Sequence, residues 1–147
     1  MALKMQNNFG KRDFNNMVKE AEKIYHDNII RTLRKIGEEA VNEARASGNY
    51  DDHTANLRNS IGYMITYNGV QVGAMHFPND AQQKIKAPKR GRAEGMDLAR
   101  KVAQEFPNGF ALIVVAGMNY SAYVESKGRV VLVSAEQLVN QKMQTLL

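Results

Sequence analysis

The chain has 147 residues, with 20 Lys and Arg against 15 Asp and Glu, so its formal net charge is +5. Its 44% apolar and 24% charged residues match one globular domain and exclude a wholly disordered chain or a fibrous repeat. Cysteine is absent, which excludes a disulfide framework, a thiolate metal site and a cysteine nucleophile together. No run approaches the roughly 18 consecutive apolar residues of a spanning helix, and residues 1–12 lack an apolar signal core. A soluble, unprocessed chain made in the cytoplasm, with no membrane partner, is the expectation.

Residues 1–12 are polar and read as a flexible N-terminal arm, leaving 13–147 as a single α+β domain. From Asp13 onward Val18, Ala21, Tyr25, Ile29, Leu33, Ile36, Ala40 and Ala44 step by three or four, the signature of an amphipathic helix. Asp13 is the expected N-cap and Gly48 the expected stop, giving about 34 residues and roughly 50 Å. That is long for a small domain, so either Gly37 divides the helix or one end reaches a neighbour. The pattern then changes to alternation, with Ile61, Tyr63, Ile65 and Tyr67 on one face of a strand. Asn68-Gly69 follows, the dipeptide of a type I′ turn, and predicts an antiparallel hairpin of residues 61–67 with 70–77.

Residues 78–95 hold two of the three prolines and few apolar residues, which predicts a long loop. Leu98, Ala99, Val102, Ala103 and Phe106 suggest a second helix ended by Pro107-Asn108-Gly109. Residues 110–118 are apolar on both alternating sets and predict a strand central in the sheet. Residues 129–133 supply a fourth strand. Ser134-Ala135-Glu136-Gln137 has the form of a capping box, and Leu138, Val139, Met143 and Leu146 complete a short C-terminal helix. The expected fold is a long N-terminal helix on a small, mostly antiparallel four-stranded sheet, with two shorter helices.

Little in this chain points to catalysis. His26, His53 and His76 have no second histidine or carboxylate at a recurring ligand spacing, so no metal site is nominated. Asp51-Asp52-His53 reads as a solvated loop or cap rather than an acid/base pair. No phosphate-binding glycine loop and no nucleophile elbow is present, and no catalytic or cofactor-binding residue is nominated. The clearest charge feature is the loop. Lys84, Lys86, Lys89, Arg90 and Arg92 place five cations in nine residues with no acid among them, so the rest of the chain is formally neutral. Such a segment can meet a phosphate backbone or an acidic protein face, and no aromatic residue is interleaved to stack on bases.

Two segments carry a family resemblance. Thr54-Ala55-Asn56-Leu57-Arg58-Asn59-Ser60-Ile61 is similar to the T-G-x-L-x-x-S-I signature of the small tail-component proteins of long-tailed phages. Asn119-Tyr120-Ser121-Ala122-Tyr123-Val124-Glu125, with Gly128 shortly after, resembles that family's Y-A-x-Y-V-E-x-G motif, in the matching order and at a matching separation. Ala55 stands where the signature has Gly, and Ser121 is inserted in the Tyr-Ala step. The resemblance implies a non-enzymatic tail-completion or head-to-tail joining protein. Such a protein works in the virion neck or tail after synthesis in the host cytoplasm, in a sixfold or twelvefold ring. Its partners would be portal, adaptor or tail proteins, with packaged DNA a further possible contact of the basic loop. Within the motifs, Leu57 and Ile61 are expected as apolar anchors and Arg58 and Ser60 as hydrogen-bonding groups. Tyr120 and Tyr123 are expected in the core or between subunits, and Glu125 as a partner of backbone N–H groups or Arg58. The alternative is a small basic DNA-binding protein that uses residues 84–92.

Overall fold

The structure, a computed structural model, describes residues 1–3, 10–47, 52–118 and 132–146. Its elements are α1 (Lys11–Ser47), α2 (Asn56–Asn59), β1 (Ile61–Tyr67), β2 (Val70–Gln71), α3 (Gly91–Ala103), β3 (Phe110–Ala116) and α4 (Val133–Leu146). The class is α+β, as expected. The chain divides into two compact units, Met1–Thr32 and Leu33–Leu147.

In the first unit, α1 begins at Lys11, inside the segment expected to be an arm. Asp13 does not cap it from outside. Gly10 occupies the cap, its carbonyl accepting from the Phe14 N–H at 3.0 Å, and the Asp13 carboxylate reaches back to the Gly10 N–H at 3.1 Å. The acid therefore acts from the third helical position, as in the acidic half of a capping box. The apolar stripe expected to cover a sheet is exposed here at Val18 and Tyr25.

In the second unit the stripe is buried at Leu33, Ile36, Ala40, Val41 and Ala44. Gly37 does not divide the helix. A Cβ there would lie 2.8 Å from the Tyr63 ring, so the missing side chain is the space the ring occupies. A mid-helix glycine costs about 1 kcal/mol of helix propensity, which burial of the aromatic ring offsets. The expected stop at Gly48 lies outside the described residues.

The sheet has three described strands in the order β2-β1-β3, all antiparallel. The four-stranded count is not supported: Val133 is the first residue of α4, and the rest of 129–133 lies outside the described residues except Leu132, which adjoins α4. Among the described strands β1, rather than β3, lies between two others. Its residues 61–66 are all buried, because the alternation that looked one-sided in sequence is covered on both faces. Gly62 and Met64 face the α3 side with Ile113 and Val115 of β3, and Gly62 leaves the room that the Phe77 ring fills. Ile61, Tyr63 and Ile65 pair with Ala116, Val114 and Leu112 on the opposite face, where Tyr63 meets Gly37. On β3 that face is only half-buried at Leu112 and Val114, which line a cavity of about 260 Å³ with Leu132 and Val139 at α4. Lys142 of α4 reaches Glu39 of α1 at 3.5 Å. The second unit is thus layered, with α3 on one face of the sheet and α4 and residues 33–47 of α1 on the other.

The hairpin turn forms as predicted, with Asn68 at φ 51° and Gly69 at φ 78°, both in the region a type I′ turn requires. The second strand is shorter than expected. Gly73, at φ 73°, turns the chain after Val72, and pairing with β1 resumes only at a bridge between Tyr63 and His76. The expected loop is also shorter, since α3 starts at Gly91. The expected capping box at Ser134 lies one residue inside α4, whose first carbonyl acceptor is Leu132.

Tyr63 also reaches α1, its hydroxyl donating to the Glu38 carboxylate at 3.4 Å. Burial and the nearby Glu38 carboxylate push its phenol up from 10.0 to about 12. The folded state therefore holds a proton that the unfolded chain loses first, so this contribution is complete below pH 10 and is lost as pH rises towards about 12. Urea unfolding across that window should show native stability falling more steeply than that of Tyr63→Phe, with the two profiles parallel below it.

Candidate interaction surface

The segment that carries the first resemblance motif is a scaffold. Ala55, where the signature has Gly, sits in a left-handed conformation at φ 61°, ψ 3°. From it springs the single turn of α2, with the Asn59 N–H donating to the Ala55 carbonyl at 3.0 Å. Leu57 and Ile61 are buried as the expected anchors, and Ser60, fully buried, donates its hydroxyl to the Leu57 carbonyl at 2.7 Å. The Ser60 carbonyl accepts from the Gly117 N–H at 3.1 Å, tying the scaffold to the end of β3.

Two asparagines of this segment then hold the basic loop. The Asn56 Oδ1 accepts from the Arg90 N–H at 3.0 Å and the Gly91 N–H at 3.1 Å, while its Nδ2 donates to the Pro88 carbonyl at 3.1 Å. The start of a helix leaves N–H groups without intrahelical partners. Arg90 supplies no side-chain cap of its own, so a residue 34 positions earlier caps α3. Asn59 brackets Ala81, accepting from its N–H at 3.1 Å, and the His53 carbonyl accepts from the N–H groups of Lys84 and Ile85 at 2.8 Å. Arg45 of α1 adds a third tie, donating to the carbonyls of Arg58 and Pro78 and pairing with Asp80.

The loop backbone is thus fastened while its charges face solvent. Lys84, Lys86, Lys89, Arg90 and Arg92 are all exposed. The structure places the first four before α3 and Arg92 in its first turn. Arg90 lies 3.5 Å from Glu94, and Lys84, Lys86, Lys89 and Arg92 form no ion pair with a described residue. A surface of fixed backbone and exposed cations can bind an anionic face without first ordering a mobile segment.

Close approach of α3 makes this possible. Gly91 and Gly95 lie against the backbone of Asn56 and Ser60, where any Cβ would collide, and Ala99 and Ala103 continue the same buried row at four-residue spacing. This spacing was the signal in the sequence for a helix beginning at 91. Asn56 and Asn59, buried polar residues, were the functional supports that the sequence reading left without a role.

The remaining nominated residues fall apart from this surface. Arg58 pairs with Asp52 at 2.7 Å, so the acid of the Asp51-Asp52-His53 run that the structure describes is a structural partner. Tyr120, Ala122, Tyr123, Val124, Glu125 and Gly128 lie outside the described residues, and with them the expected pair of Glu125 with Arg58. His26 stands near Tyr25 at 6.2 Å between ring centroids, His53 is exposed, and His76 lies against the Tyr63 ring at 5.3 Å. Among the described residues no group of three His, Asp or Glu side chains could hold a metal ion, and no helix is long and apolar enough to cross a membrane. The chain matches no family model, no curated protein and no solved structure.

The scaffold supports two expectations. Asn56→Ala strips acceptors from two N–H groups and a donor from one carbonyl; the buried Gly91 N–H left unpaired costs about 1–3 kcal/mol and the two part-buried groups add less, so the loss should be about 2–4 kcal/mol. Asn56→Asp, which keeps the acceptor at a helix N-terminus, should recover part of the loss, with amide exchange at Arg90 and Gly91 as the local readout. At Ala55 three terms compete. Glycine would relieve about 1–2 kcal/mol of left-handed strain but lose about 0.4–1 through the freer unfolded chain and about 0.8 for the buried methyl. Ala55→Gly should therefore unfold within about 0.5 kcal/mol of the native protein, whereas Ala40→Gly in α1 should lose about 2.

Proposed function

We propose that this protein is a non-enzymatic structural subunit of a tailed-phage neck. It assembles from identical copies into a sixfold or twelvefold ring that joins portal or adaptor proteins to the tail. The reading rests on the resemblance of its two motifs, and one observation supports it furthest: four of the five signature positions of the first motif have a structural task. Ala55 takes the backbone conformation that favours glycine, Leu57 and Ile61 are buried anchors, and Ser60 locks the turn. The motif segment, through Asn56, also helps to hold the surface that residues 84–92 present. That surface is cationic and fixed, suited to docking against an acidic neighbour.

A second reading is favoured by the same five cations: a small protein that binds duplex DNA through residues 84–92. The two readings separate in one experiment. Light scattering and negative-stain microscopy of the purified protein, alone and mixed with portal complexes, should show closed rings of sixfold or twelvefold symmetry. A persistent monomer in both conditions refutes the ring. A monomer that binds duplex DNA, and loses binding when Lys84, Lys86, Lys89, Arg90 and Arg92 are neutralised, establishes the second reading instead.

A further inference from the structure

The first unit exposes an apolar stripe with an asymmetric border. Phe14, Met17, Val18, Ala21, Ile24 and Tyr25 recur with a seven-residue pattern along one side of α1. Phe14, Met17, Ile24 and Tyr25 are 52%, 50%, 56% and 65% exposed. Asp13, Glu20 and Asp27 recur every seven residues along one flank of this stripe, about 10.5 Å apart in a helix. The opposite flank carries Asn15, Glu22 and Ile29 and offers no row of cations. An exposed apolar stripe of this size calls for a partner, and the acidic row restricts which one.

A second copy of the same helix answers poorly. Antiparallel pairing sets the acidic row against itself, and parallel pairing sets it against the side carrying Lys11, Val18, Tyr25 and Thr32, with a single cation. Among the described residues the 84–92 loop offers a surface of matching character. Loop residues Lys84, Lys86 and Lys89 surround Ile85, which is 54% exposed, and their backbone is fastened by His53, Asn56 and Asn59. Cations flank an apolar contact there, as acids flank an apolar stripe on the helix.

We propose that the exposed stripe of α1 in one copy docks on the 84–92 loop of a second copy, with Glu20 and Asp27 facing its lysines and Ile85 against the stripe. The contact joins two different surfaces of identical chains, the head-to-tail kind that closes into rings. It rests on the ring reading above and specifies the joint between its subunits. Opposed charges set the register of such a contact and exclude wrong pairings.

Charge reversal on each side tests it. Variant one carries Glu20→Lys and Asp27→Lys, leaving the capping Asp13 intact; variant two carries Lys84→Glu, Lys86→Glu and Lys89→Glu. Circular dichroism establishes that both are folded, and sedimentation velocity reads their assembly. Each variant alone should assemble at least about tenfold more weakly than the native chain. An equimolar mixture should recover assembly, with the two chains alternating. If both variants assemble like the native protein, the contact is wrong while the ring stands. If the mixture fails to recover, the charges do not face each other and the proposal falls. Lysine variants that lose duplex-DNA binding but keep native assembly assign the loop to DNA and also overturn it. A native chain that stays monomeric, alone and with portal complexes, removes both the contact and the ring.

Discussion

The amide of Asn56 is the constraint on which the rest of the described surface depends. It is small, neutral and buried, and it answers three backbone groups of a segment more than thirty residues away. Without it α3 would begin on uncapped N–H groups and the loop would have no fixed end. The amide works only because Gly91 and Gly95 let α3 approach the backbone of residues 56–60, where a side chain of any size would hold the helix off. Local sequence, close approach and hydrogen bonding are therefore one arrangement. The left-handed Ala55 sets the direction of α2, α2 presents Asn56, and Asn56 positions the loop.

Around this joint, energetics divide by layer. Apolar burial holds the sheet, with β1 covered on both faces and Met64, Phe77, Ile113 and Val115 gathered under α3. The polar network lies at one edge of that core, where Arg45, Asp52, Arg58 and the two asparagines engage backbone carbonyls and N–H groups or one another. Buried polar groups are costly unless satisfied, and the partners of Arg45, Asn56 and Asn59 lie in segments distant in sequence, so these bonds specify one loop conformation among many.

Periodic signals were the legible part of the fold. The three-and-four stepping of α1 and the Asn68-Gly69 turn are local, and each element formed where the pattern lay. Misreadings arose where burial was decided by a distant segment. Gly37 looked like a break because its partner, the Tyr63 ring, comes from β1. β3 looked central because both its sets are apolar, yet among the described strands β1 takes that place, with Gly62 and Thr66 among its buried residues. Residues 91–95 looked like loop because they continue a proline-bearing stretch with few apolar residues, whereas their glycines serve close contact. Of the candidate surface, the five cations were legible as charge. Their fastening was not, because a buried asparagine in sequence resembles any polar loop residue.

The loop's support has a consequence for how the surface can change over time. Residues 81–91 are held through main-chain atoms and uncharged amides, while the cationic side chains take almost no part in holding them. Substitutions at 84, 86 and 89 can therefore rewrite the charge that the face presents without disturbing its shape. The charge of this face is separable from folding, so it can drift one residue at a time over an unchanged backbone.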